Sequence, residues 1–397
     1  MKVTVPDLRT SFSQLIALPS ISSASASWDQ SNEPVVMLLE GWLASLGFVT
    51  EVMAVPDRPG KYNLIATLGT GAGGLVLSGH TDTVPFDDKR WQSDPFTLTE
   101  RDGRLYGLGT CDMKGFFGLV LEAVRDLRAD DLQRPLIVLA TADEESSMSG
   151  AQALVDAGRP EGRFAVIGEP TELRPVRMHK GIMMERLALR GQSGHSSDPS
   201  LGRNAMEGMH AVLSELLTLR SEWQQQYRHP GFNVEFPTLN LGHIHGGDSP
   251  NRICAACELH FDLRPLPGMK IDELRDSIHR RVAPLIRARE LGMTFEPLFD
   301  GVPPFETPAN AQLVKLCEEL TGHAAESVAF ATEAPFLQQL GLETLIMGPG
   351  SIDQAHQPDE FLALDQLQPA IDVLTQLIKR CCIDGELPRS PADDRAE

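Results

Sequence analysis

Two histidines and six carboxylates fall where chemistry needs them: His80, Asp82, Asp112, Asp143, Glu144, Glu145, Glu169 and His356. Most follow a short apolar run of the kind that forms a buried strand. His80 and Asp82 follow the run 74–79, and Asp143-Glu144-Glu145 follows 135–141. Glu169 follows 164–168, and His356 lies in the loop after 344–347. Asp112 opens a helix after the turn Gly107-Leu108-Gly109-Thr110. Imidazoles mixed with carboxylates suit a borderline cation, zinc first, with cobalt or manganese as competitors. One catalytic zinc needs about three protein ligands. The set holds enough for two sites sharing one bridging carboxylate, with the ions ~3.5–4 Å apart. A lone His or Asp at a strand end is more often structural. Adjacent glutamates that end a buried strand beside Asp143 are harder to place without something cationic to neutralise them.

The elements that must hold these residues alternate. Strand-like runs at 63–68, 74–79, 135–140, 164–168 and 344–347 are interleaved with helical stretches at 116–127 and 364–380. That alternation predicts an α/β domain with a mostly parallel sheet, whose functional crevice lies at the carboxyl ends of the strands. The middle reads differently. Strands at 182–190, 238–245, 252–264 and 293–298 and helices at 204–219 and 271–289 give the order βαββαβ, the split-βαβ ferredoxin-like pattern. The expected organisation is a discontinuous catalytic domain, 1–181 and 300–385, around an inserted domain, 182–299, with a disordered polar tail at 386–397.

Composition narrows the function classes. The chain has 397 residues, 35 Lys plus Arg and 55 Asp plus Glu, a net charge of −20 that disfavours nucleic acid and fits a small-molecule partner. No apolar run is long enough to span a membrane, and residues 1–27 lack a continuous apolar signal segment, so the expectation is a cytoplasmic protein without a membrane partner. The six cysteines need no disulfide role, and the lone Cys254-x-x-Cys257 reads as packing within a strand. Gly69-x-Gly71-x-x-Gly74 imitates a dinucleotide fingerprint. A strand follows it instead of a helix, so it reads as a hairpin turn.

Five boxes carry a family resemblance: His80-Thr-Asp82-Thr-Val-Pro85, Gly107-Leu-Gly-Thr-Cys-Asp112-Met-Lys-Gly115, Asp143-Glu144-Glu145, Ile167-Gly-Glu169-Pro-Thr171 and Ala355-His356-Gln-Pro-Asp-Glu360. In this order they resemble the M20 co-catalytic metallopeptidases, over nearly the whole chain. The resemblance implies two divalent ions, Zn²⁺ or Co²⁺. His80, Asp112 and Glu169 would surround one, and Asp112, Glu145 and His356 the other, with Asp112 bridging. The residue types alone leave Glu144 and Glu145 interchangeable. The family pattern makes Glu145 the ligand and Glu144 the general base, and it makes Asp82 the carboxylate that orients a ligand imidazole.

The resemblance extends to the insertion as a dimerisation or lid domain. His195 would reach the active site of a neighbouring subunit and stabilise an oxyanion, which implies a homodimer. Arg264 is the candidate clamp for a substrate carboxylate, with Arg252 competing and Asn251 nearby. Glu333 is the candidate partner of a substrate ammonium. The position after Ile253, often proline in the family, is Cys254. The implied reaction is metal-dependent amide hydrolysis of a small N-acyl amino acid. A non-catalytic binding module on the same fold would have lost Glu144 or a ligand, and all are present.

Overall fold

The computed structural model describes residues 4–384, so the expectation for 386–397 lies outside the described residues. The chain divides into two compact units. One comprises residues up to Arg177 with Thr307–Glu326 and everything from Thr332, and the other comprises Met178–Glu306 with Ser327–Ala331. The second unit starts before 182 and ends after 299 because Ile182 pairs with Val302 and His179 with Phe305 across its neck.

In the first unit the sheet runs Val49–Ala54, Tyr62–Leu68, Leu136–Thr141, Leu75–His80, Phe164–Pro170, Glu343–Gly348, and Val176 pairs with Ile346 at the last edge. The middle four strands are parallel, and the flanking pairs are antiparallel. The parallel strands are apolar without alternation because both faces are covered; every residue of Leu75–His80 and Leu136–Thr141 is buried. The carboxyl ends of the four central strands therefore share one edge. The helix Lys114–Val124 packs against Leu8–Ile16 at a distance that only glycine permits. A Cβ on either Gly115 or Gly118 would meet the Phe12 ring at 2.7 Å.

Residues 69–74 are not the hairpin turn expected from the sequence. The strands they join, Tyr62–Leu68 and Leu75–His80, do not pair with each other. Leu136–Thr141 lies between them, antiparallel to one and parallel to the other. The parallel central strands recruit the later, more apolar run, and sequence adjacency does not decide pairing.

The second unit is a four-stranded antiparallel sheet in the order Thr238–Gly246, Ala256–Arg264, Met183–Arg190, Gly292–Pro297. With the helices Ala205–Gln226 and Ile271–Arg287 this is the βαββαβ arrangement. Alternation is strict along Met183–Arg190 and Ala256–Arg264, as a sheet with one covered face requires. Cys257, Leu259, Phe261 and Leu263 are buried against Val212, Leu216, Ile278 and Val282, while Glu258, His260 and Asp262 face the other way. The strand expected from 252 starts only at Ala256; Arg252 instead bridges His195, and the Ile253 amide donates to the Gly194 carbonyl. All six cysteines are buried free thiols.

His179 lies within this unit, fully buried beside the Phe305 ring, with Nδ1 bonded to the Lys180 carbonyl at 2.8 Å. Burial pushes its pKa down to about 4. The folded state thus prefers the neutral ring. Stability is complete above the ordinary value near 6.5 and is lost as pH falls from there through 4. A gap of about 2.5 pKa units corresponds to about 3 kcal/mol. The unfolding midpoint of His179→Gln is expected to fall less steeply than wild type between pH 7 and 4.5; parallel slopes would contradict this.

Candidate metal centre

The shared edge of the central strands gathers the donors. His80 ends one strand, Thr141 ends the next before Glu144 and Glu145, and Glu169 lies near the end of the third. His356 follows Glu343–Gly348 with φ 60°, a left-handed conformation that a non-glycine residue adopts only where its surroundings hold it. Asp112 sits between the two histidines. One carboxylate oxygen is 3.1 Å from His80 Nε2, and the other is 3.6 Å from His356 Nε2. Glu169 Oε1 is 3.9 Å from His80 Nε2, and Glu145 Oε2 is 2.9 Å from His356 Nε2. Two donor triads result, His80–Asp112–Glu169 and Asp112–Glu145–His356, and they share Asp112; His80, Glu144 and Glu145 also converge.

The supporting contacts aim these donors. His80 Nδ1 donates to the Asp82 backbone carbonyl at 2.9 Å, so Nε2, which faces Asp112, is the nitrogen that a cation would meet. The Asp82 carboxylate, expected to hold the imidazole, stands 3.7 Å from Nδ1. It accepts the amides of Glu144 at 3.3 Å and Glu145 at 3.1 Å, and so fixes the two-glutamate turn to the His80 strand. Glu360, the last acid of the Ala355–Glu360 motif, is buried beneath the Asp112 loop. It accepts the amides of Gly109, Cys111 and Asp112 at 2.8–3.1 Å. Burial, and then the Asp112 charge, raise its pKa to about 8. Asp143 does not join the donors. Lys61 Nζ lies 2.9 Å from it, and Ser22 and Ser149 donate to it.

Within this cluster burial pushes Glu144, Glu145 and Glu169 above the usual carboxylate range. The next cause for Glu144 is Glu169, and for the other two it is Asp112. These buried carboxylates draw positive charge: against its burial His80 is held well above the usual imidazole range by Asp112, Glu144 and Glu169, and His356 is raised to about 9 by Glu145. The donor set, hard oxygens with two imidazoles, fits a pair of borderline divalent ions. Glu333 lies in the same unit. One carboxylate oxygen accepts from Thr141 Oγ1 at 2.9 Å, while Oε1 is buried without a hydrogen-bond partner. Burial raises its pKa to about 7. A cation arriving there would satisfy that oxygen.

The other candidates belong to the inserted unit. His195 pairs with Arg252 in a bridge, and its Nδ1 accepts from Ser197 Oγ at 2.7 Å. The Asn251 carbonyl accepts the Ser196 amide, and Arg252 pairs with Asp248 at 3.1 Å. These three residues form one exposed loop cluster. Arg264 does not join it. Arg264 ends the strand Ala256–Arg264, which is about 25 Å long at ~3.3 Å per residue, and Arg252 precedes its other end. Arg264 shares a cavity of about 450 Å³ with Lys180, Phe232 and Thr238, and its Nε is held by Asp262 at 3.0 Å. Arg252 and Arg264, the two candidates for a substrate carboxylate, thus stand in separate surroundings.

Comparison with known proteins adds a further line. Residues 76–380 match the profile of Peptidase family M20/M25/M40. The chain is 51% identical to the acetylornithine deacetylase of Edwardsiella ictaluri, over 96% of this chain and all of that protein. Its fold is similar to an M20 family metallo-carboxypeptidase from Sulfolobus solfataricus, with TM-score 0.73, 18% identity and coverage of 94% and 99%. It is also similar to a Bacillus subtilis protein described as a dinuclear metal-binding peptidase, with TM-score 0.65, 14% identity and coverage of 94% and 96%.

Proposed function

The chain belongs to peptidase family M20/M25/M40, and on that premise we propose that it hydrolyses the acetyl amide of N2-acetyl-L-ornithine to acetate and L-ornithine. The observation that carries the hydrolytic reading is Asp112, placed with one oxygen toward each of two histidines. Half-identity over the full length to an acetylornithine deacetylase supports the substrate. So do the stretches 79–88, 191–199, 239–247 and 348–360, which resemble that enzyme. Arginine biosynthesis, a cytoplasmic location and a homodimer joined through the inserted unit belong to the same reading. Among the described residues no helix is long and apolar enough to cross a membrane.

His80, Asp112 and Glu169 would hold one divalent ion, and Asp112, Glu145 and His356 the other, Zn²⁺ or Co²⁺. Bound there, such ions polarise an acyl carbonyl and lower the pKa of water. Glu144 takes the proton from the attacking water oxygen and returns it to the amide nitrogen as the C–N bond breaks. His195, from a partner subunit, would donate to the oxyanion. Arg264 would clamp the substrate carboxylate through the guanidinium nitrogens beyond Nε. Glu333 would take the side-chain ammonium.

The test is acetate release by metal-stripped protein, with and without Zn²⁺ or Co²⁺, from Nα-acetyl-L-ornithine. N-succinyl-diaminopimelate, N-acetylmethionine and a dipeptide run beside it. Metal-dependent turnover with acetylornithine preferred is the expected result. Preference for another substrate would keep the hydrolase and transfer the reading to a desuccinylase, aminoacylase or dipeptidase. Glu333→Ala is expected to lower kcat/KM for acetylornithine by roughly 10–100-fold, the scale of a lost charge-assisted hydrogen bond. It should act far less on N-acetylmethionine, which has no ammonium to read. Equal losses on both substrates would remove Glu333 from that role.

A further inference from the structure

The open face of the inserted unit's sheet carries a second group of donors that the proposed reaction does not use. His243, Glu258 and His260 present ligand atoms within 4.8 Å of one another. His243 and His260 stand directly opposite each other on adjacent strands, their rings 4.9 Å apart at 42°. His260 Nε2 is 2.8 Å from Glu258 Oε1. We propose that these three residues form an additional, surface-accessible site for a borderline divalent cation such as Zn²⁺.

Three features beyond proximity support it. The first is register. The pairing of Thr238–Gly246 with Ala256–Arg264 skips Gly242: Leu241 pairs with Phe261, and His243 with the next residue, His260. Side chains alternate along a strand, so without this bulge His243 would take the face opposite to His260. The bulge re-aims one imidazole onto the other. The second is preorganisation. Arg186 grips Glu258 Oε2 through Nε at 2.8 Å and through Nη2, and Arg186 is itself paired with Glu296. One carboxylate oxygen is thereby fixed, and the other points at His260, as a supporting shell fixes a metal-bound carboxylate. The third is donor chemistry. Two imidazoles and one carboxylate are a common three-ligand set for zinc, with a fourth position left to water. With bonds of about 2.0–2.1 Å, tetrahedral ligand atoms lie ~3.3 Å apart, so the ion needs the 2.8 Å His260–Glu258 contact to open slightly and the remaining ligand atoms, all within 4.8 Å, to close on it. All three residues lie on paired strands, which hold them more rigidly than loops would.

The site is separate from the residues of the candidate metal centre, so its test does not depend on the proposed substrate. Untagged, metal-stripped protein is titrated with Zn²⁺ by equilibrium dialysis and elemental analysis. Wild type is expected to take three equivalents, the third most weakly. His243→Ala and His260→Ala should each weaken the third by at least about 10-fold while leaving two equivalents and kcat unchanged. A second readout needs no variant: the imidazole NMR signals of His243 and His260 should shift together as the third equivalent binds. Saturation of wild type at two equivalents, a third equivalent that survives both substitutions, or unmoved His243 and His260 signals would each overturn the proposal.

Discussion

Glu144→Gln should lower kcat for amide hydrolysis by roughly 10³-fold while both cations remain bound, within the range of a lost general base. The reason lies in which contacts Glu144 does and does not share. Glu145 is bonded to His356, and Asp112 and Glu169 face His80, so each ion keeps a donor triad without Glu144. The amide of residue 144 is held by Asp82, and that backbone contact survives the substitution. Glutamine preserves shape but cannot take a proton from water. The expected signature is therefore a kcat loss with KM and metal content nearly unchanged. Near-normal kcat would move the base elsewhere, and loss of metal would make Glu144 a ligand. Because the two glutamates are adjacent, the paired Glu145→Gln variant is the necessary control, and it should lose metal first.

Asp112→Ala should lose both ions and essentially all activity. Its carboxylate alone serves both triads, so removing it leaves each with two donors, fewer than the three a catalytic zinc ordinarily takes. His356→Ala removes a donor from one triad only and should empty that position alone. Counted at the two tighter positions, after dialysis that empties the weaker third, elemental analysis would show about zero ions for the first variant and one for the second. Stability separates ligand loss from misfolding. Added Zn²⁺ should raise the unfolding midpoint of wild type much more than that of Asp112→Ala, because an ion stabilises only a fold that binds it and the variant has lost the two tighter positions. A variant that still holds two ions at wild-type affinity would end the bridging assignment.

Much of the site's outline was legible in one dimension. Apolar runs flanked by His or acidic residues marked the strand ends, and strand–helix alternation placed those ends on one edge. Elsewhere local reading failed for identifiable reasons. Asp143, adjacent to the two glutamates, is turned to Lys61 and two serines instead of the cation cluster. The 69–74 turn reads as a hairpin until a strand from 67 residues further on inserts between its arms, counted from Gly69 to Leu136. Glu360 offered no functional signal as a lone acid near the end of a motif, because its role is to bind three amides from a loop about 250 residues earlier.

By itself, the sequence determined the donor types, their place after buried runs, and the two periodicities that distinguish a sheet covered on both faces from one covered on a single face. These are properties of short windows, set by burial and by alternation along a strand. Only the tertiary structure decided which oxygen meets which histidine. His80 and Asp112 lie 32 residues apart in the chain, Glu145 and His356 lie 211 apart, and Asp112 and Glu360 lie 248 apart. No local propensity encodes such pairs. They follow from strand order and from packing that lets distant loops close on one edge of a sheet, where a change of one residue in register would turn a donor to the opposite face.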